Sequence, residues 1–444
     1  MLAAMSTAAS RPSPQATAAS RVRGDACPGT LRLHSADDGA LARVRVPGGV
    51  VTVRQAEALA DAARRLGDGD LHLTSRGNVQ LRGLRQTCGA ELAGLLDAAG
   101  LLPSHAHERV RNVVASPLSG LDGRGLRDVR PWLTDLDAAL CASRTAPELS
   151  GRFLFALDDG RGDVAGLGAD VTVRATADGA ALLGLGSGGE VLRVSAGDAA
   201  RAAVLAAEAF AALVRDSGTR AWRVDELGAA RDELPGAVRR RLDSAGVGCA
   251  STAAVAAGGG AGPLPGAAVA AGGGAGPLPG AVGSALSVHV PLGRLTPPQW
   301  RELTRAAAGE LRLTPWRGVV VPVSPDDDTA RLLARIAATG LVTDPASPWL
   351  RVGACIGRPG CAKSRADVRA DAERALAAAG RSPLPLYWSG CERRCGHPPG
   401  DRVDVVAAPG GGYELSAVTA RRQPRTAPLD DPSHLATALA AITP

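Results

Sequence analysis

The sequence predicts an α+β protein of two similar halves, and three observations carry that prediction. Two segments about 240 residues apart read as the same β–α–β unit. A directly repeated stretch rich in Gly, Pro and Ala lies between them. Strand-like stretches alternate with helical ones through the rest of the 444 residues.

Residues 1–26 are rich in Ala, Ser, Thr, Pro and Arg and lack a continuous apolar core. They are expected to be a disordered tail rather than a secretory signal. The first ferredoxin-like half-domain is placed at 27–95. Within it "RVRVPGGVVTVRQAEALADAARRLGDGDLHLTSRGNVQLRG", residues 43–83, alternates as a strand, continues as a helix with an apolar stripe and returns as a strand. Residues 96–248 are expected to form a larger α+β domain that binds a tetrapyrrole or anion. Its strands are "RFLFALDD", "ADVTVRAT" and "GEVLRVS", followed by an Ala-rich helix at 198–215.

The linker is placed at 249–282, because "AVAAGGGAGPLPGA" at 254–267 is repeated at 268–281 and cannot bury a core. The second half-domain, 283–345, contains "SVHVPLGRLTPPQWRELTRAAAGELRLTPWRGVVVP". Val44, Val46, Pro47 and Gly49 match Val288, Val290, Pro291 and Gly293; Thr52 and Gln55 match Thr296 and Gln299. Leu71, Leu73 and Thr74 match Leu311, Leu313 and Thr314. This duplication implies pseudo-twofold symmetry within one chain, so a monomer is expected. A helix at about 327–339 follows, and 346–444 is expected to be an α+β cluster-binding domain ending in "RVDVVAAPGGGYELSAV".

The net charge is +6 and the pI about 9.1. Arginines are scattered among acids with no aromatic ladder, which argues against a nucleic-acid platform and favours a small polyanionic ligand. No stretch of about 18 charge-free apolar residues offers a membrane span, and a cytoplasmic location is expected. Lys363 is the only lysine, and Asn78 and Asn112 are the only asparagines. Such survivors of a strong compositional bias mark positions whose chemistry is hard to replace.

Cys355 and Cys361 are followed, after 29 intervening residues, by Cys391 and Cys395. Four thiolates from two Gly-flanked loops suit a [4Fe-4S] cluster, with a helix beginning near Lys363 aiming its N-terminal end at it. A zinc site, two disulfides or unrelated buried thiols are the alternatives. Cys27, Cys88, Cys141 and Cys249 show no comparable spacing.

The Cys-x5-Cys and "GCERRCG" motifs, with the duplicated unit, resemble the sulfite/nitrite reductase superfamily over nearly the whole chain from about residue 27. Within it, "ACIGRPGCAKS", "SGCERRCGHP" and "ERVRNVVASPLSG" most resemble the precorrin-3B synthases of aerobic cobalamin biosynthesis. That resemblance implies a [4Fe-4S] monooxygenase using dioxygen to hydroxylate precorrin-3A with γ-lactone formation. It also implies a mononuclear non-haem iron, or alternatively a sirohaem. Candidate iron ligands are His105 and His107, on one face if that segment is extended, and His397.

"LTSRGNVQL" resembles the segment whose arginine reaches the active site, here Arg76. "RVRNVVASP" resembles a second, placing Arg111 with Asn112 beside it. "LSGRFLFAL" resembles a segment where the reductases carry a lysine pair around a phenylalanine; Arg152 and Leu154 stand there. Losing the second lysine removes a cationic proton donor and favours the corrinoid reading over sulfite or nitrite reduction. Lys363 completes the expected substrate-binding set. A carrier that kept the fold and lost turnover is a further reading. The sequence reads no GxGxxG after a strand and no flavin motif, so electrons are expected from a separate reductase or reduced pyridine nucleotide such as NADH.

Overall fold

The computed structural model describes residue 25 and residues 27–252, 276–398, 400–419 and 422–442. The expected tail (Asp25 apart) and the middle of the expected linker, 253–275, lie outside the described residues.

The first half-domain runs β1 (His34–Ala36), β2 (Gly39–Val44), β3 (Val50–Thr52), α1 (Val53–Leu66), β4 (Leu71–Leu73), β5 (Val79–Leu84) and α2 (Gly89–Ala98). The matched Thr52 and Gln55 explain where α1 starts. The Gln55 amide donates to Thr52 Oγ1 at 3.2 Å, and the Thr52 amide donates to Gln55 Oε1 at 3.0 Å. Ala56, Leu59, Ala62, Ala63 and Leu66 then bury one face of the helix.

A larger domain follows: β6 (Val113–Ala115), α3 (Arg130–Ala142), β7 (Phe155–Asp158), β8 (Val171–Ala175), β9 (Ala181–Leu185), β10 (Val191–Val194), α4 (Ala199–Asp216), α5 (Leu234–Ser244) and β11 (Cys249–Thr252). Its sheet has the order β11-β10-β9-β8-β7-β6, with β6, β7 and β8 parallel. The strands read from the sequence are β7, β8 and β10, and β9 fills the hairpin between the last two. One boundary is corrected. Residues 249–252, assigned to the linker, form the edge strand β11, because their amides pair with Val191–Val194.

The second half-domain repeats the first: β12 (Gly280–Val282), β13 (Ala285–His289), β14 (Arg294–Leu295), α6 (Pro297–Ala306), β15 (Glu310–Leu313), β16 (Gly318–Pro322) and α7 (Thr329–Ala337). Here too the linker boundary moves, since β12 pairs with β13. Thr296 and Gln299 cap α6 as their counterparts cap α1.

The halves exchange strands. The short strand before each helix joins the other half's sheet: β14 pairs with β4 (Leu295 with Leu71), and β3 with β15 (Val51 with Leu311). Each exchange covers a sheet edge that would otherwise offer unpaired amides. Trp300 Nε1 donates to the Ala56 carbonyl at 2.8 Å, and Leu59, Leu66, Trp300 and Leu303 share one core. The two half-domains are therefore one packing unit.

The last domain comprises β17 (Val352–Ala354), α8 (Val368–Arg374), α9 (Leu376–Ala379), β18 (Leu386–Ser389), β19 (Arg402–Ala407), β20 (Tyr413–Thr419), β21 (Arg422–Leu429) and α10 (Leu435–Ile442). β17, β18 and β19 are parallel neighbours. The helix expected near Lys363 begins instead at Val368, where Asp367 accepts the Ala370 amide and so sets the start.

Candidate ligand pocket and cysteine centre

Both cysteine pairs leave from the C-terminal ends of adjacent parallel strands. Cys355 directly follows β17, Cys391 lies two residues beyond β18, and Ala354 is in register with Trp388. The loops are tied to each other: the Cys355 amide donates to the Trp388 carbonyl at 2.9 Å, and the Arg365 amide to the Gly390 carbonyl at 2.9 Å. They are also tied to the first half-domain. Arg82, 4% exposed, forms two 2.8 Å bonds to Asp38 and donates to the Gly360 carbonyl at 2.8 Å. The Ala362 amide donates to the Asp37 carboxylate.

All four cysteines are free thiols. Burial pushes the Cys355 thiol up, the amides of Gly390 and Gly357 pull it back, and Cys395 and Cys391 lie near enough to raise it further. The Gly390 amide donates to Cys355 Sγ at 3.3 Å. Arg369 donates to the Cys355 carbonyl at 3.3 Å, and burial together with neighbouring guanidiniums lowers its pKa to about 10. The thiols of Cys355, Cys391 and Cys395, set among backbone amide donors and cations, fit an anionic iron–sulfur cluster, which they and Cys361 would hold.

Beside this centre lies a cavity of about 310 Å3. The second half-domain, the cysteine domain and the larger domain all contribute to its wall, including Leu154 from the segment before β7. Four guanidiniums line it: Arg76, Arg223, Arg317 and Arg351. Arg223 is neutralised by Asp170, with Nε to Oδ2 at 2.6 Å. The pKa of Arg76 falls to about 10, through burial first and then the nearby Arg223. Behind Arg76, Arg43 Nε and Arg45 Nη1 are buried with no hydrogen-bond partner. Burial and Arg43 together take Arg45 down to about 9. A cavity so rich in cations, next to orphaned guanidinium donors, suits a ligand with several carboxylates.

Of the expected site residues, Arg76 and His397 reach this cavity. His397 Nδ1 donates to the Arg394 carbonyl at 2.7 Å. The other two histidines do not fit an iron site. Residues 105–110 are a run of turns, not an extended segment. His107 is buried with both ring nitrogens engaged, Nδ1 with Ser104 Oγ and Nε2 with the Ser143 carbonyl, each at 2.7 Å. His105 is exposed and meets Asp97 at 2.8 Å.

Arg111 does not line the cavity either. It is 4% exposed, bonds both Asp137 oxygens at 2.7 and 2.8 Å, and caps the Leu101 carbonyl. Asn112 donates to the Phe153 carbonyl at 2.9 Å and accepts from Asn78 at 3.0 Å. Arg152 is exposed, 5.5 Å above the Trp222 ring, and Lys363 is exposed in the turn after Cys361; neither lines the cavity. Reading the sequence missed Arg223, Arg317, Arg351 and Tyr387. For Arg317 a signal was present, since it stands in the second LxLT turn, whose first copy had already pointed to Arg76.

Residues 34–99 and 279–339 match the nitrite/sulfite reductase ferredoxin-like half domain. The protein thus carries the paired half-domains of the nitrite/sulfite reductase superfamily. A ferredoxin–nitrite reductase of Synechococcus elongatus is 29% identical over 407 residues, 83% of this chain and 76% of that protein. A precorrin-3B synthase of a Sinorhizobium species is 27% identical over 404 residues, 89% of this chain and 83% of that protein. Among solved structures, the Mycobacterium tuberculosis NirA protein shares the fold, with a TM-score of 0.64 and 19% identity over 90% of this chain and 79% of that one. Among the described residues no helix is long and apolar enough to cross a membrane.

Proposed function

We propose that the protein is an oxidoreductase of the precorrin-3B synthase type, hydroxylating precorrin-3A with dioxygen and forming a γ-lactone. One observation carries this choice over reduction of sulfite or nitrite. The cavity wall presents Leu154, 3% exposed, at the position where the resembling reductases carry their second lysine. An apolar wall suits a macrocycle edge, whereas a small anion under reduction needs a proton donor there. Arg76 would pair with a carboxylate of the substrate and help fix its orientation in the cavity.

One oxygen atom of dioxygen enters the macrocycle and the other leaves as water, so two electrons and two protons come from an external donor. The [4Fe-4S] cluster, when bound at the four cysteines, would supply electron transfer. The mononuclear iron or sirohaem would bind at the cavity face near His397.

The reading is tested by anaerobic purification, an absorption spectrum and dioxygen uptake. The expected result is broad iron–sulfur absorption and uptake that depends on precorrin-3A. A tightly bound sirohaem with a Soret band, together with nitrite or sulfite reduction by reduced viologen, would establish the second reading, which the 29% identity to a nitrite reductase favours. Cys391→Ser should abolish the brown chromophore; unchanged iron and sulfide content would refute the cluster assignment.

A further inference from the structure

The duplicated turn ends differently in its two copies. In the first, the Thr74 amide donates to the Asn78 carbonyl at 3.0 Å, the Gly77 amide to the Thr74 carbonyl at 3.2 Å, and the Asn78 amide to Thr74 Oγ1 at 3.1 Å. In the second, the Thr314 amide donates to the Gly318 carbonyl at 2.9 Å, the Arg317 amide to the Thr314 carbonyl at 3.1 Å, and the Gly318 amide to Thr314 Oγ1 at 3.0 Å. The turns are the same, so Arg317 occupies the place of Gly77. Gly77 has φ +66° and Arg317 has φ +58°.

That backbone is natural for glycine and strained for arginine, whose Cβ crowds the following carbonyl. A strained residue persists where the rest of the structure and the function require its side chain. The Arg317 guanidinium carbon lies 6.0 Å from the Tyr387 ring centroid, and the Tyr387 hydroxyl donates to the Cys395 carbonyl at 2.7 Å. Gly353 and Gly396 leave bare backbone around it; a Cβ on either would come within 3.4 Å of Nη1 or 3.6 Å of Nη2. Among the described residues no carboxylate ion-pairs with Arg317, and it lines the cavity beside Arg76.

We propose that Arg317 is a ligand-binding residue that pairs with a carboxylate of the anionic ligand, and that its left-handed backbone is strain retained for this contact. The inference rests on the reading that the cavity takes a polycarboxylated tetrapyrrole.

Arg317→Gly separates binding from folding, because it restores the residue this turn prefers while deleting the guanidinium. Arg317→Asn provides a second uncharged residue that tolerates the left-handed region. The probe is uroporphyrin, titrated by fluorescence against the full-length purified protein. Wild type should bind it, and both variants should bind at least about tenfold more weakly. The thermal midpoint of Arg317→Gly should stay within about 2 °C of wild type. If wild type binds and both variants bind within twofold of it, Arg317 is not a ligand residue and the inference is overturned. If Arg317→Gly melts far below wild type, the guanidinium is structural and the inference is equally overturned. Failure of wild type itself to bind would refute the underlying tetrapyrrole reading.

Discussion

Replacing Asn112 with Ala tests whether a two-residue amide relay holds the pocket turn in place. Asn78 and Asn112 are each 1% exposed. The Val46 amide donates to Asn78 Oδ1 at 2.9 Å, Asn78 Nδ2 donates to Asn112 Oδ1 at 3.0 Å, and Asn112 Nδ2 donates to the Phe153 carbonyl at 2.9 Å. The relay links the first half-domain to the larger domain, and one of its members, Asn78, stands two residues from Arg76 in the same turn. Truncating Asn112 strands two buried groups, Asn78 Nδ2 and the Phe153 carbonyl. Each stranded group costs about 1–3 kcal/mol, so the loss should be about 2–6 kcal/mol, with water entry favouring the lower end. Urea unfolding of the wild-type and Asn112→Ala proteins measures it. A cycle with Asn78→Ala should show positive coupling of about 1 kcal/mol, because the shared bond can be lost only once. Amide exchange at Val46 should quicken in Asn78→Ala. A loss below about 1 kcal/mol with additive single variants would refute the relay.

The remaining predictions concern charge. Burial, and then the charge of Arg317, pushes the His289 imidazole down to about 4. Its folded pKa lies below its unfolded value near 6.5, so the unfolded chain takes up the proton first. Stability from this site is present above pH 6.5 and is lost as the pH falls from about 6.5 to 4. The loss is up to about 3 kcal/mol. His289→Asn should flatten the dependence of unfolding free energy on pH in that window; equal slopes for both proteins would reject the assignment. Asp137→Asn should strand the buried Arg111 and cost about 3 kcal/mol or more in urea unfolding while leaving uroporphyrin affinity within twofold. A tenfold loss of affinity at unchanged stability would instead return Arg111 to the ligand site.

The duplication was legible because its repeated residues do local work that recurs wherever the chain repeats it. Thr and Gln at fixed spacing form a capping box, and LxLT closes one kind of turn in both halves. Arg76 was legible for the same reason, being part of such a turn. The rest of the cavity was not, since Arg223, Arg351 and Tyr387 come from separate segments and meet only in three dimensions. Arg111 was assigned to the ligand because its motif says nothing of Asp137, which arrives on α3. Scarcity was an uneven guide. It marked Asn78 and Asn112, which prove to be buried and hydrogen-bonded to each other, but it also marked Lys363, which is exposed.

The strand exchange was hidden because β3 and β14 are too short to announce a partner. Its consequence explains where the cavity is. Pseudo-twofold symmetry offers two equivalent places, one over each VxVPxG turn. Over the first turn the larger domain presses in: a Cβ on Gly48 would lie 2.4 Å from Leu133 and 3.3 Å from Ala115, and Asn78 is joined to Asn112. Over the second turn Leu292, at the place of Gly48 and with φ +53°, faces the cavity instead. Packing fills one copy and leaves the other open. The open copy is the one beside the cysteines, so the asymmetry between two nearly identical turns is what leaves a cavity there.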